Sequence, residues 1–485
     1  MSRLIRFCAA MCFAGAASLL PLTLFAQGGV NPDAALINKA RGIHDRVIKL
    51  DTHNDFSVNN FTPTCNYTMR LTNQVNLPKM IEGDMDVTFL IVYQGQGALT
   101  AEGFDRAYNA AKGQFTAIHR LTEEIAPDKI GLALTPADVY RLHRQGKRIA
   151  VIGVENAYPI GLDIKRVEEF YKLGGRYMSL AHNGNSQMAD SNTGEVQGYL
   201  YNNGLSPLGR EVVKEMNRLG MMIDLSHPSK GANLEAIRLS KAPVIASHSS
   251  ARAVANVSRN MDDQLLMALK KNGGVIQTVG FASYVKVDSP ERIAALAALN
   301  SEFGLNAARG DGGGGGRGAG GAGAGRAAGA GGAGAAPAAN PCPVEDPNAP
   351  PAAPRGGGAG GGRGNAATQV LDALSAERRA EYDRKLADIN AKMPAAGRAN
   401  VHDFVDHIDY LVKKIGIDHV GISSDFDGGG GVTGWNSAAD AFNVTLELVR
   451  RGYNEPQIGK LWSGNLLRVW SEVQAIGKQI QAGGK

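Results

Sequence analysis

The 485-residue sequence predicts an α/β chain folded as a (β/α)8 TIM barrel, and three observations carry that prediction. Eight short apolar, β-branched stretches recur along the chain, and such stretches read as parallel strands covered on both faces. Helical patterns separate them, which is the alternation a parallel barrel requires. Four of the ten histidines, His53, His182, His227 and His248, end four of the stretches, and Glu155 ends a fifth. Ligand-type residues at successive strand ends are how such a barrel assembles a site at its C-terminal rim. Imidazoles and carboxylates converging there point to a barrel of the metal-dependent hydrolase type.

The elements follow in order. Residues 1–26 carry Arg3 and Arg6, an apolar FCAAMCFAGAASLLPLTLF and a small Ala26, which together read as a secretory signal peptide cleaved near Ala26. The expectation is export, to a periplasm or beyond, with no other membrane attachment. The first part of the barrel occupies 27–305. Its opening helix, NPDAALINKARGIHDRV, leads into VIKLDTH, MDVTFLIVYQ, RIAVIGVE, GGRYMSLAH, GMMIDLSH, PVIASHS and GGVIQTVG as strands one to seven. FDRAYNAAKGQFTAIHRLTEEI, IKRVEEFYKL and SPLGREVVKEMNRLG are helices between them, the last with Ser206 as N-cap and Pro207 at the first helical position. The last part, 366–485, holds a flanking helix, then VHDFVDHIDYLVKKIG, the eighth strand HVGISSDFD and C-terminal helices.

Between strands seven and eight, residues 306–365 are mostly Gly and Ala with Arg and a Pro-rich segment. That composition buries too little apolar surface to offset its ordering entropy, so a long disordered insertion is expected, one that a short linker could replace. With its flanking helices it runs from Phe281 to about Ala399 as an enlarged βα loop on the active-site face, which could serve as a wall, a lid or the contact of a homodimer. Cys8 and Cys12 leave with the signal. Export permits Cys65 and Cys342 to pair, but Cys342 lies in the Gly/Ala-rich region, so no structural disulfide is expected. The formal charge of +5 includes scattered arginines of the insertion, and no dense basic patch interleaves with aromatics. Nucleic acid is therefore not an expected partner.

In DTHND, alternation along a strand puts Asp51, His53 and Asp55 on one face, so His53 and Asp55 can reach one metal. Glu155 can bridge two metals through its two oxygens, and His227 and His248, ending consecutive strands, can complete the second. The competing reading, a polar strand-end residue satisfied by its own loop, has to be invoked five times. Mixed imidazole and carboxylate ligands suit Zn²⁺, two per chain, with Mn²⁺ or Co²⁺ as substitutes. Such a pair can hold a bridging hydroxide, a nucleophile at neutral pH.

DTHND, GVEN, LAHNGNSQMADS, IDLSH, PVIASHSSARAV, SRNMDD and GISSDFDG, in that order and followed by GNLLRVW, resemble the membrane (renal-type) dipeptidase family of zinc peptidases. The resemblance implies His53 and Asp55 on one zinc, His227 and His248 on the other, and Glu155 between them. It implies His182 facing the tetrahedral oxygen and contacting substrate, Arg259 clamping the substrate carboxylate, and Asp425 as proton shuttle. Asp427, two residues on, shares the face of Asp425 on strand alternation and is not separated from it. The implied substrates are dipeptides, including those with a C-terminal D-residue. Gln187 and Met188 replace a common Pro-Trp pair, and Asn156 replaces a common Gly, which affects side-chain preference rather than metal binding. Two other readings stay open: an amidohydrolase for N-acyl amino acids, lactones or β-lactams, and a non-catalytic binding protein on the same scaffold.

Overall fold

Eight parallel strands form a ring in chain order: β1 (Leu50–Asn54), β2 (Val87–Tyr93), β3 (Arg148–Glu155), β4 (Gly175–Ser179), β5 (Met222–Asp224), β6 (Ile245–Ser249), β7 (Val275–Val279) and β8 (Val420–Ser423). The ring closes where the Asp55 amide donates to the Phe426 carbonyl at 2.9 Å, bridging Asn54 and Phe426. The chain is thus a (β/α)8 barrel. This computed structural model describes residues 32–305, 342–346 and 369–483. The expected signal, residues 1–26, and most of the expected disordered tract at 306–365 lie outside the described residues. Among the described residues no helix is long and apolar enough to cross a membrane.

The barrel interior follows from strand alternation. In β2 and β3, Val87, Phe89, Ile91, Ile149 and Val151 join Tyr177, Met222, Ile245 and Val275 in one buried cluster. Trp470 of the C-terminal helix Asn465–Gly483 meets Phe89 edge-on at 6.3 Å and closes this end. The same alternation carries Tyr93 and Glu155, paired across β2 and β3, to the opposite rim. Apolar interior below and polar residues above is how this sequence separates stability from chemistry. Gly153 makes room for one large filler, since a Cβ there would lie 2.3 Å from the Tyr177 ring.

Outside the ring, helix Pro207–Leu219 shows how the connections form. The Ser206 hydroxyl accepts from the Gly209 amide, Pro207 fits the first turn, and Gly220 ends the helix in the left-handed conformation at φ 76°. Its buried face, Val212, Val213, Met216 and Leu219, packs in the outer core, each side chain worth about 1.5–3 kcal/mol. A charged residue at Val213 would break that face. One short strand, Ile130–Leu132, was not legible in advance. It pairs with the start of β3, beside which β4 begins only at Ile152.

The insertion between β7 and β8 begins with a short helix, Ala282–Val285, at the barrel mouth. Helices Pro290–Glu302 and Ala376–Lys392 then pack together through Leu299 and Phe303 against Tyr382, Leu386 and Ile389. The expected continuous flanking helix is broken at Ser375, whose hydroxyl accepts from the Arg378 amide as an N-cap. The expectation for the cysteines is corrected: Cys65 and Cys342 form a disulfide. Composition misled because the anchor is five residues long. Thr72 and Pro343 share a 2.7 Å backbone bond, and Glu345 pairs with Arg70 at 2.7 Å and Lys79 at 2.9 Å.

Candidate metal centre

All five expected metal ligands meet at the C-terminal rim. Glu155, the last residue of β3, is the hub. Its Oε1 lies 2.8 Å from His227 Nε2, 3.3 Å from His248 Nε2 and 3.6 Å from His53 Nε2, and its Oε2 lies 3.8 Å from His182 Nε2. Three overlapping groups have the spacing of a cation site: His53, Glu155 and His248; Glu155, His182 and His227; and His53, Asp55 and Asp425. Asp55 lies just past β1, where the register with β2 shifts, and that irregularity turns it toward the cavity.

The hydrogen bonds fix where the lone pairs point. The Tyr177 hydroxyl donates to the Thr52 carbonyl at 3.0 Å, so it accepts from His53 Nδ1 at 2.9 Å. His53 Nε2 is then left as a buried acceptor without a hydrogen-bond partner among the described residues. Ser247 Oγ donates to Asp224 at 2.7 Å and so accepts from His248 Nδ1 at 2.8 Å, leaving His248 Nε2 bare. Arg259 Nη2 donates to His227 Nε2 at 3.0 Å. The unprotonated Nε2 atoms of His227 and His248 thus face each other at 2.9 Å beside a carboxylate oxygen, that of His227 already accepting from Arg259. The Nδ1 atoms of His53 and His248, held by outer hydroxyls, have the arrangement of metal-ligating histidines, whereas His227 Nδ1 has no hydrogen-bond partner among the described residues.

Electrostatics agree. Burial pushes Asp55 up to about 7, raises Glu155, and raises Asp425 well above the usual carboxylate range. Burial also lowers His53, His227 and His248, and takes His182 down to about 4. Neutral imidazoles are ready ligands, and three buried carboxyl groups in one place are costly unless a cation joins them. The residues therefore fit a divalent metal, and their N and O donors are of the kind zinc accepts.

Two sequence expectations need correcting. Asp51 does not share the face of His53; its carboxylate accepts from the Ser424 amide at 2.9 Å and from the Ser424 hydroxyl, stitching β1 to the end of β8. Asp425 and Asp427 do not share a face either, because both lie beyond β8 with left-handed φ of 59° and 61°. Strand alternation does not apply there. Asp427 accepts from the Gln74 amide at 2.8 Å and the Val75 amide at 3.3 Å, while Asp425 joins the cation group. Gly428 is required between Asp425 and Asp55: a Cβ would lie 2.3 Å from both Asp425 Oδ1 and Asp55 Oδ2.

Arg259 is buried, its guanidinium donating to the carbonyls of Ser226 and, at 3.1 Å, His248. The open cleft over the site is lined by Asp55, Glu155, His182, His227, His248 and Asp425, and also by Tyr93, Asn183, Phe281 and Tyr284. The last four were missed. Tyr93 was within reach, since it ends β2 opposite Glu155, and its hydroxyl lies 3.3 Å from His182 Nδ1. Phe281 and Tyr284 come from the insertion, where the sequence shows no strand to place them.

Comparison with known proteins agrees with this geometry. The family model for membrane dipeptidase (peptidase family M19) matches residues 37–484. Dipeptidase tcpJ of Claviceps purpurea is 26% identical over 447 residues, spanning 91% of this chain and 78% of that protein. The structure of the probable dipeptidase PvdM from Pseudomonas aeruginosa superposes with a TM-score of 0.67 at 30% identity, over 91% of this chain and 99% of that one. A metallo peptidase from Rhodobacter sphaeroides, liganded with a phosphinate mimic of the dipeptide L-Ala-D-Ala, gives 0.59 at 19% identity, over 88% and 99%. That last likeness shows the fold alone. With the family model covering nearly the whole described barrel, the chain belongs to the membrane dipeptidase family, peptidase family M19, and is a metal-dependent dipeptidase.

Proposed function

We propose that the protein is an exported dipeptidase that works with two zinc ions, His53 and Asp55 holding one, His227 and His248 the other, and Glu155 bridging. The observation that carries this reading is Glu155 Oε1 within 2.8, 3.3 and 3.6 Å of the Nε2 atoms of His227, His248 and His53. When bound, the ions would supply an activated water and a Lewis acid for the scissile carbonyl. His182, beside Glu155 and held by Tyr93, donates to the oxygen that gains charge as the carbonyl is attacked. Asp425, facing Asp55 across Gly428, takes the proton of the attacking water and passes it to the departing amine. Arg259 binds the substrate's free carboxylate, its planar fork exchanging for it acceptors such as the Ser226 and His248 carbonyls that it holds here.

Dipeptides ending in a D-residue belong to the proposed substrates, and the phosphinate seen on the Rhodobacter enzyme makes Ala-D-Ala a natural probe. The test is a dipeptide panel with matching dipeptide amides and N-acetyl amino acids, assayed on metal-stripped and zinc-reloaded protein. Free dipeptides should turn over only when zinc is restored, and the amides should be poor. Equal turnover of acids and amides would favour a broader amidohydrolase instead. Elemental analysis should find about two zinc ions per chain.

A further inference from the structure

The segment Asp190–Asn192 holds none of the residues assigned above, yet it is bonded to the backbone of two of them. Ser191 Oγ donates to the His182 carbonyl, and Ser191 bridges to Pro228. Asn192 donates twice to the His227 carbonyl, from its amide nitrogen and from Nδ2, both at 2.9 Å. Its Oδ1 accepts from the Ser258 hydroxyl at 3.1 Å. Ser258 immediately precedes Arg259, and Asn192 is itself buried. Asp190 anchors the segment by accepting from the amides of Leu200, Tyr201 and Gly204.

A carbonyl that accepts two N–H groups has both lone pairs engaged, so the peptide plane after His227 is fixed. The same side chain reaches the neighbour of Arg259 with its other end. Only an amide offers donors on one atom and an acceptor on the other at this size; Asp and Leu match its shape but not both bonds. Metal ligand and carboxylate clamp, which touch directly through His227 Nε2 and Arg259 Nη2, are thus also joined at the backbone through one buried residue. Catalytic geometry tolerates about 0.5 Å, so such a joint bears directly on substrate length.

We propose that Asn192 is a positioning residue that sets the spacing between His227 and Arg259, and so selects substrates whose free carboxylate lies one residue beyond the scissile bond. This rests on the dipeptidase reading of Arg259. Two holoenzyme variants separate the two ends of the joint. Asn192→Asp keeps the acceptor for Ser258 but turns the side-chain donor against the His227 carbonyl. Ser258→Ala removes only the Arg259 side, at a half-buried position.

Zinc affinity, read by chelator competition, should fall about tenfold in Asn192→Asp, which loses one hydrogen bond holding the peptide after His227 and sets an acceptor against its carbonyl. In Ser258→Ala it should stay at the wild-type value, while KM for Ala-D-Ala rises roughly fivefold and kcat changes by less than about twofold. Asn192→Ala combined with Ser258→Ala should raise KM no further than Asn192→Ala alone, since both remove one link. Wild-type zinc affinity in Asn192→Asp, or wild-type KM in Ser258→Ala, overturns the proposal while leaving the dipeptidase reading intact. A zinc-replete wild type that cleaves no dipeptide overturns that reading and the selection of length with it.

Discussion

His53 Nδ1 lies 2.9 Å from the Tyr177 hydroxyl, and that hydroxyl lies 3.0 Å from a carbonyl that can only accept, so Tyr177 sets the tautomer of His53. The interior filler of β4 thereby aims a nitrogen of β1. Tyr177→Phe keeps the ring in its slot above Gly153 and removes only the hydroxyl. It should lower zinc affinity about 10–100-fold while the barrel stays folded. Chelator titration measures this, and an unchanged affinity would mean that His53 is held by packing alone.

Asp425 and Asp427 should separate cleanly. Asp425→Asn removes the proposed proton carrier, so the rate should fall roughly 10²–10⁴-fold with metal still bound. Asp427→Asn instead weakens the cap on the Gln74 and Val75 amides, costing about 1–3 kcal/mol of stability. Its kcat at a permissive temperature should stay near wild type. Steady-state kinetics beside thermal melts check both, and an equal rate loss in Asp427→Asn would transfer the role.

Acid stability should depend on histidines outside the proposed ligand set. His407 donates from Nε2 to the Val285 carbonyl at 2.8 Å and accepts the Ala251 amide on Nδ1 at 3.1 Å, so a second proton would set donor against donor. Burial lowers its pKa, and burial lowers that of His44 as well. An unfolded histidine titrates near 6.5, so below that pH the unfolded chain takes up protons the folded one refuses. Stability is then lost as pH falls from about 6.5 toward the folded pKa values, by up to about 1.4 kcal/mol per pH unit per histidine. His407→Gln should melt lower at pH 8 but show a shallower fall in Tm between pH 7 and 5.5. An unchanged slope would remove His407 from the account.

The strands were legible as short, largely apolar runs, and His53, Glu155, His227 and His248 could be placed by the ends of theirs. Legibility stopped where the chain leaves the strand. Asp425 and Asp427 depend on two left-handed residues that no periodicity reports. Period two put Asp51 on the face of His53 and Asp55, but its carboxylate is taken by Ser424 where the ring closes. Tyr284 arrives on an insertion whose path is set by tertiary contacts, among them the Asn260 bond to its carbonyl at 2.8 Å.

The Gly/Ala-rich insertion offers the sharpest contrast between composition and contact. Replacing 306–341 and 347–365 with short Gly-Ser linkers while keeping 342–346 should change stability by about 1 kcal/mol or less, since loop-closure cost grows only logarithmically with length. Removing Asn306–Asn365 whole also removes the Cys65–Cys342 bond and the Glu345 pairs with Arg70 and Lys79. That should cost about 2–5 kcal/mol, as loss of a native disulfide does. The loss should spread toward the site, because Gln74, a few residues beyond Arg70, donates to the carbonyls of Gly430 and Asn436 and accepts from the Asp427 amide. Thermal melts of both deletions with and without reductant make the comparison. The trimmed protein should be sensitive to reductant and the full deletion should not. Equal stability of the two would show that the clip at 342–346 contributes nothing to the fold.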